Sequence, residues 1–224
     1  MSVEFTALEN GLRVVTHAMP GVESASIGVW VGSGTRHETD ENNGVAHLLE
    51  HMAFKGTRRR NAQDIADEIE AVGGHLNAYT GRESTAYFAK MLAPDVALAA
   101  DILADILQNA TFDQVELDRE RQVVLQEIGQ AADTPDDIIF DYYQAAAFPN
   151  QSMGLPVLGR RENVQTMSRE TIKSYLQSNY GSERAVLSAA GKVHHEDIVG
   201  MAEELFGSFP HSKVVTEHEP ARYC

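Results

Sequence analysis

The sequence is poor in cysteine, in positive charge and in long apolar runs, and each shortage removes a class of explanation. Its one cysteine is Cys224, the last of 224 residues. An intrachain disulfide and a cysteine-based metal site are therefore excluded, and any metal must be held by His, Asp or Glu. A lone thiol in a polar stretch has no neighbour to lower its pKa, so Cys224 is assigned no role. Eighteen Lys and Arg stand against 33 Asp and Glu, a formal net charge of −15. Nucleic-acid binding needs the opposite sign, to displace counterions from phosphates. An acidic surface attracts basic peptides or simply keeps a protein in solution, and composition does not choose between the two. No stretch approaches the roughly 20 apolar residues of a membrane span. The opening MSVEFTALENG lacks the basic and apolar regions of a signal peptide, so the expectation is a bacterial-type cytoplasmic protein with no membrane and no nucleic-acid partner.

What is present is enough for one core: 43% of the residues are hydrophobic. Two β-rich runs, Arg13–Ala18 and Ser24–Gly32, are separated by the turn residues Met19-Pro20-Gly21 and read as neighbouring strands. Helical patterns follow at 44–54 and 62–72, the second ending at Gly73-Gly74. The runs His75–Thr80 and Ser84–Met91, joined by Gly81-Arg82-Glu83, form a hairpin signal. Apolar residues at three- and four-residue spacing then predict helices over Val96–Leu107 and Val115–Ile128. Pro135 suits the start of a helix over Asp136–Ala147, and Ser168 can cap one running to Asn179. A strand over Ala185–Ala190 and a helix over Glu196–Phe206 come last, before a polar tail. This order lacks the strand-helix alternation of a doubly wound sheet, so the fold class is α+β, a mixed, mostly antiparallel sheet packed by several helices. No repeat or Pro/Ser-rich linker divides the chain before residue 210, giving one domain over 1–210 and a tail over 211–224.

The segment from Gly44 to Phe54 carries the chemistry. On a helix His47 and His51 lie one turn apart on one face, and Glu50 stands beside them. Two neutral imidazoles can share one divalent ion, while a carboxylate that is not a ligand takes the proton of an attacking water. Surface chance could also produce such a pair, but Val45, Leu48, Leu49 and Met52 mark this face as partly buried, where unpaired imidazoles are costly. A catalytic zinc usually has three protein ligands. Glu127 is the candidate third, and Glu120, seven residues before it and near the same helix face, is the carboxylate that would support a ligand imidazole. Two glutamates two turns apart are also common on exposed helices. His37, His75, His194 and His195 have no partner at i+4 and read as surface or hairpin histidines. His and carboxylate ligands accept several divalent ions, so zinc against manganese or cobalt stays open.

HLLEHMAFKGT contains the inverted motif H-x-x-E-H. With NAYTGRESTAYF, the Glu120–Glu127 pair, GLRVVTHAMP, GSGTRHE, FPNQSMGLPVLG and AAGKVHHEDIV, nearly the whole chain resembles the pitrilysin family of zinc peptidases, and within it the processing-peptidase β-subunits and their bacterial relatives. The resemblance implies one zinc per chain, held by His47, His51 and Glu127, with Glu50 as general base and Glu120 in support. It implies that Asn77, Ala78 and Tyr79 lie on an edge strand that pairs with an extended peptide; the same residues could merely finish a hairpin. Members of the family close two homologous halves, or two subunits, like a clamshell around the substrate. This chain resembles the N-terminal half, and its EPARYC ending resembles a truncated connection between halves. Two functions follow. One is a zinc endopeptidase module for unfolded or presequence-like peptides, basic in character. The other is a metal-binding assembly subunit, catalytically incomplete until a second half, a partner chain or a second copy is added.

Overall fold

The structure, a computed structural model, describes residues 3–212 and 220–224. Six strands, β1 (Val3–Ala7), β2 (Arg13–Ala18), β3 (Ser24–Val31), β4 (His75–Thr80), β5 (Thr85–Leu92) and β6 (Ala185–Gly191), form one sheet in the order β1-β2-β6-β3-β5-β4. Only β2 and β6 run parallel; the other neighbours are antiparallel. This is the mixed α+β sheet that the order of elements predicts. One expectation is corrected. β2 and β3 are not neighbours, because β6 lies between them, with Leu187 opposite both Val14 and Val29. The reason is burial. AVLSAA is apolar along its length, suited to an interior strand flanked on both sides, and local patterning around residues 13–32 cannot announce a strand that arrives about 150 residues later.

Register sets which face is the core. Ile27, Val29, Tyr87, Ala89, Leu187 and Val14 line up across four strands on one face and are all fully buried. On β4 the same alternation turns Leu76, Ala78 and Thr80 inward and leaves His75, Asn77 and Tyr79 exposed. The helices are α1 (Val45–Ala53), α2 (Ala62–Ala71), α3 (Val96–Asn109), α4 (Gln114–Ala132), α5 (Pro135–Ala147), α6 (Arg161–Thr166), α7 (Arg169–Asn179) and α8 (His195–Phe206). α3 packs on β3 and β5, α8 on β2, and α1 lies against α4, α7 and β4. Ser168 caps α7 by accepting from Thr171 N, as expected. Of the residues read as a tail, 213–219 lie outside the described residues. Residues 222–224 are docked, not free. Gln151 exchanges two hydrogen bonds with the Arg222 backbone, Tyr223 meets Phe148 edge-on at 5.9 Å, and Cys224 N donates to Ala147 O.

The loop that leaves α1 is held by charge. Asp105, with its carboxylate out of contact with solvent, accepts from Thr57 Oγ1 at 2.7 Å and Arg60 Nη1 at 3.1 Å, while Arg60 Nη2 also reaches Asp101 at 2.7 Å. Asp105→Ala would take away the acceptor shared by Thr57 Oγ1 and Arg60 Nη1, while Arg60 keeps its pairs with Asp101 and Glu68. The expected loss is about 1–3 kcal/mol of folding stability, read from denaturant unfolding, against near-neutrality for an exposed aspartate such as Asp40.

Candidate metal centre

α1 begins where two glycine backbones touch. Gly44 has a φ of +100° and Gly159 a φ of +87°, and a Cβ on Gly159 would lie 2.4 Å from the Gly44 Cα. No other residue type fits that contact in that conformation. The first amide groups of α1 are then satisfied from outside the helix. Buried Glu38 accepts from Gly44 N at 2.9 Å, Ala46 N at 2.7 Å and Asn43 Nδ2 at 2.7 Å. A carboxylate at this end also meets the positive pole of the helix. Burial pushes the Glu38 carboxyl up to about 7 against the pull of these three donors.

His47 and His51 leave the same face of α1, with ring centroids 4.7 Å apart and an interplanar angle of 68°. Glu127 reaches them from α4: its Oε2 is 3.7 Å from His47 Nε2 and 3.5 Å from His51 Nε2. These separations are too long for hydrogen bonds. They approach the edge of a tetrahedron of ligands about 2.0–2.1 Å from one ion, roughly 3.3–3.4 Å. The three ligand atoms lie within 4.8 Å of one another, the one such cluster among the described residues. The donor set thus fits a divalent ion of the zinc type. Burial, and then the His51 charge, push the His47 imidazole down to about 4, so it stays neutral and available to ligate near pH 7.

His51 has different surroundings. Its Nδ1 donates to Glu120 Oε2 at 2.9 Å, and Lys55 Nζ sits 2.8 Å from the other oxygen of Glu120. Burial favours the neutral imidazole, but the Glu120 hydrogen bond and the Glu127, Glu120 and Glu50 charges outweigh it, leaving the His51 pKa raised. Glu120 thus engages His51, whereas His47 Nδ1 is buried without a hydrogen-bond partner among the described residues. Glu50 turns toward β4, where Thr80 Oγ1 donates to its Oε2 at 2.5 Å. Burial raises the Glu50 pKa, partly offset by that bond. Asn77, Ala78 and Tyr79 lie on β4 at the edge of the sheet, whose outer side has no partner strand among the described residues.

Sequence reasoning missed Glu38, Lys55 and Thr80. Lys55 stood in the motif string without a role. Glu38 and Thr80 act across gaps of six to 30 residues that no helical or strand period connects. His195 is corrected from a surface histidine to a clamp, with Nε2 at 2.8 Å from Thr6 Oγ1 and Nδ1 at 2.8 Å from Thr16 Oγ1.

Residues 13–161 match the family described as Insulinase (Peptidase family M16). The chain belongs to this peptidase family. Residues 166–223 match a second M16 profile, described as the peptidase M16 inactive domain. The β-subunit of the mitochondrial-processing peptidase of Blastocladiella emersonii is 46% identical over 92% of the chain, and the human subunit 44% identical over 90%. A probable β-subunit from Arabidopsis thaliana is 43% identical over 97%. The chain spans less than half the length of these curated relatives, 41–44%, and corresponds to their N-terminal half. The fold is that of a protease from Helicobacter pylori, with a TM-score of 0.92 at 23% identity, and of a peptidase M16 inactive domain from Pseudomonas fluorescens, with a TM-score of 0.90 at 14% identity. The chain covers 54% of each, as one half of a two-domain M16 arrangement would. The expectation of a bacterial-type cytoplasmic home is overturned by the curated relatives, which are mitochondrial-processing peptidase subunits by name, from fungi, plants and animals. Among the described residues no helix is long and apolar enough to cross a membrane.

Glu38 supplies a test of how α1 is seated. Glu38→Ala removes the acceptor of three donors at once and is expected to cost about 1–3 kcal/mol in denaturant unfolding. For the native residue the folded state holds its proton up to about pH 7, whereas the unfolded chain releases it near 4.5. Its contribution is therefore fully present below pH 4.5 and is lost as pH rises through 7. The stability difference between wild type and Glu38→Gln should shrink across that window; a difference that grows with pH would contradict the assignment.

Proposed function

We propose that this chain is the metal-bearing half of a zinc-dependent endopeptidase, with one zinc held by His47, His51 and Glu127. The observation that carries this reading is the convergence of three ligand atoms at near-tetrahedral spacing with a partly buried carboxylate, Glu50, beside them. Membership of peptidase family M16 supports the reaction class. Bound zinc supplies a Lewis acid for the attacking water and the scissile carbonyl. Glu50 acts through Oε1, its Oε2 being engaged by Thr80, to take the proton of the water and pass it to the leaving amine. Glu120 fixes the His51 ring by accepting its Nδ1–H, which leaves Nε2 as the ligand atom.

The substrate class is an unfolded or presequence-like peptide of basic character. It pairs with the open edge of β4 at Asn77, Ala78 and Tyr79, where backbone groups hold an extended chain whatever its sequence. The net charge of −15 favours basic segments. Residues 1–210 form the peptidase half, and 211–224 begin the connection to a second half, or to a partner subunit that completes the chamber. The named subunits that resemble this chain are more than twice as long, which supports that requirement.

The test is hydrolysis of an unstructured basic peptide by the zinc-loaded chain, alone and with a candidate second half. Wild type should cleave in at least one of these forms. Glu50→Gln should retain one zinc per chain and lose about 10²- to 10⁴-fold in turnover. His47→Ala should lose the zinc. Cleavage by Glu50→Gln at the wild-type rate, or stoichiometric zinc in His47→Ala, would sink the proposal.

A further inference from the structure

The inward row of β4 is Leu76, Ala78 and Thr80, and it changes character at its end. Leu76 and Ala78 pack against the apolar core, whereas Thr80 carries a hydroxyl into the same half-buried face. A hydroxyl there needs a partner, and it has one: Thr80 Oγ1 donates to Glu50 Oε2 at 2.5 Å, across 30 residues of sequence. An ionised carboxylate only accepts, so the direction of this bond is set. The Glu50 carboxylate makes no other hydrogen bond among the described residues, and its long side chain would otherwise sample several rotamers. Thr80 itself is anchored. It pairs in register with Thr85, which is fully buried and donates its own hydroxyl to Ser33 O at 2.9 Å. Strand pairing uses the Thr80 backbone alone and leaves its hydroxyl free for Glu50.

We propose that Thr80 is a positioning residue, whose hydroxyl fixes the Glu50 carboxylate to strand β4 and so holds the general base and the peptide-pairing edge in one rigid frame. The proposal rests on Glu50 acting as the base and deepens that reading. Its chemical content is a division of labour between two oxygens: Oε2 is occupied by Thr80, and Oε1 is left to exchange the proton. Because Thr80 directly follows Tyr79, a peptide paired along β4 is placed relative to Oε1 by one residue of strand and one hydrogen bond.

Thr80→Val tests this cleanly, since valine keeps the β-branched shape and strand preference of threonine and deletes only the donor. Two measurements are needed, both on zinc-loaded protein in whichever form the wild type cleaves. In a crystal structure of Thr80→Val, the Glu50 carboxylate should leave its wild-type position or split between rotamers. In the peptide assay kcat should fall about 10- to 100-fold, with KM and zinc stoichiometry held, and Thr80→Ser should recover to within about threefold of wild type. A Glu50 carboxylate unmoved in the crystal, or a kcat loss accompanied by loss of zinc or not recovered in Thr80→Ser, overturns the proposal. Failure of the underlying reading has a separate signature. Glu50→Gln would then cleave like wild type, while the position of Glu50 in the Thr80→Val crystal would still report whether Thr80 holds it.

Discussion

Seven of the nine residues of α1 are buried, yet the helix must present two imidazoles and a carboxylate at a single point. Taking such groups out of water is costly unless each finds a partner, and the packing around α1 meets that demand at both ends and on one side. Glu38 gathers the amide groups at the start. The Glu120 carboxylate joins Lys55 to His51 at the finish. Thr80 reaches across from the sheet to Glu50. Remove any of these and a polar group is left in an apolar seat, so positions outside the candidate metal centre share in keeping its side chains aligned.

The sheet brings a largely buried helix beside an open strand edge. Helices cover the face that carries Ile27, Val29 and Tyr87, and β4 ends that layer as an edge strand. A single strand therefore faces the helix with one row of side chains and offers free backbone groups along its outer side. Exposed sheet edges are usually guarded against pairing. Here the exposed edge adjoins the ligand cluster, and its openness suits the binding of a peptide strand.

How much of this was legible in the sequence depended on distance along the chain. α1, α2 and the β4–β5 hairpin could be read because their signals are local: an i,i+4 histidine pair, Gly73-Gly74 after a periodic run, and a tight link between alternating runs. The joining of Glu127 to His47 and His51 needed a spacing argument and the family resemblance. The Glu38 cap, the Thr80 bond and the His195 clamp were out of reach, because each pairs residues whose proximity exists only after the sheet has formed. Burial likewise decided the place of β6. Its apolar sequence identified a strand, but nothing near residues 13–32 indicated that it would separate β2 from β3.

That central place of β6 orders events in time. Strands β1 and β2 on one side, and β3, β5 and β4 on the other, are joined only through residues 185–191, near the far end of the described domain. Pairings between segments so distant in sequence close large loops and form slowly. A chain growing from its N-terminus exposes the H-x-x-E-H segment long before the strand that completes the floor beneath it has been made. The candidate metal centre is thereby deferred until almost the whole domain exists, so a nascent or partly unfolded copy carries His47, Glu50 and His51 without the framework that brings Glu127 and Thr80 to them.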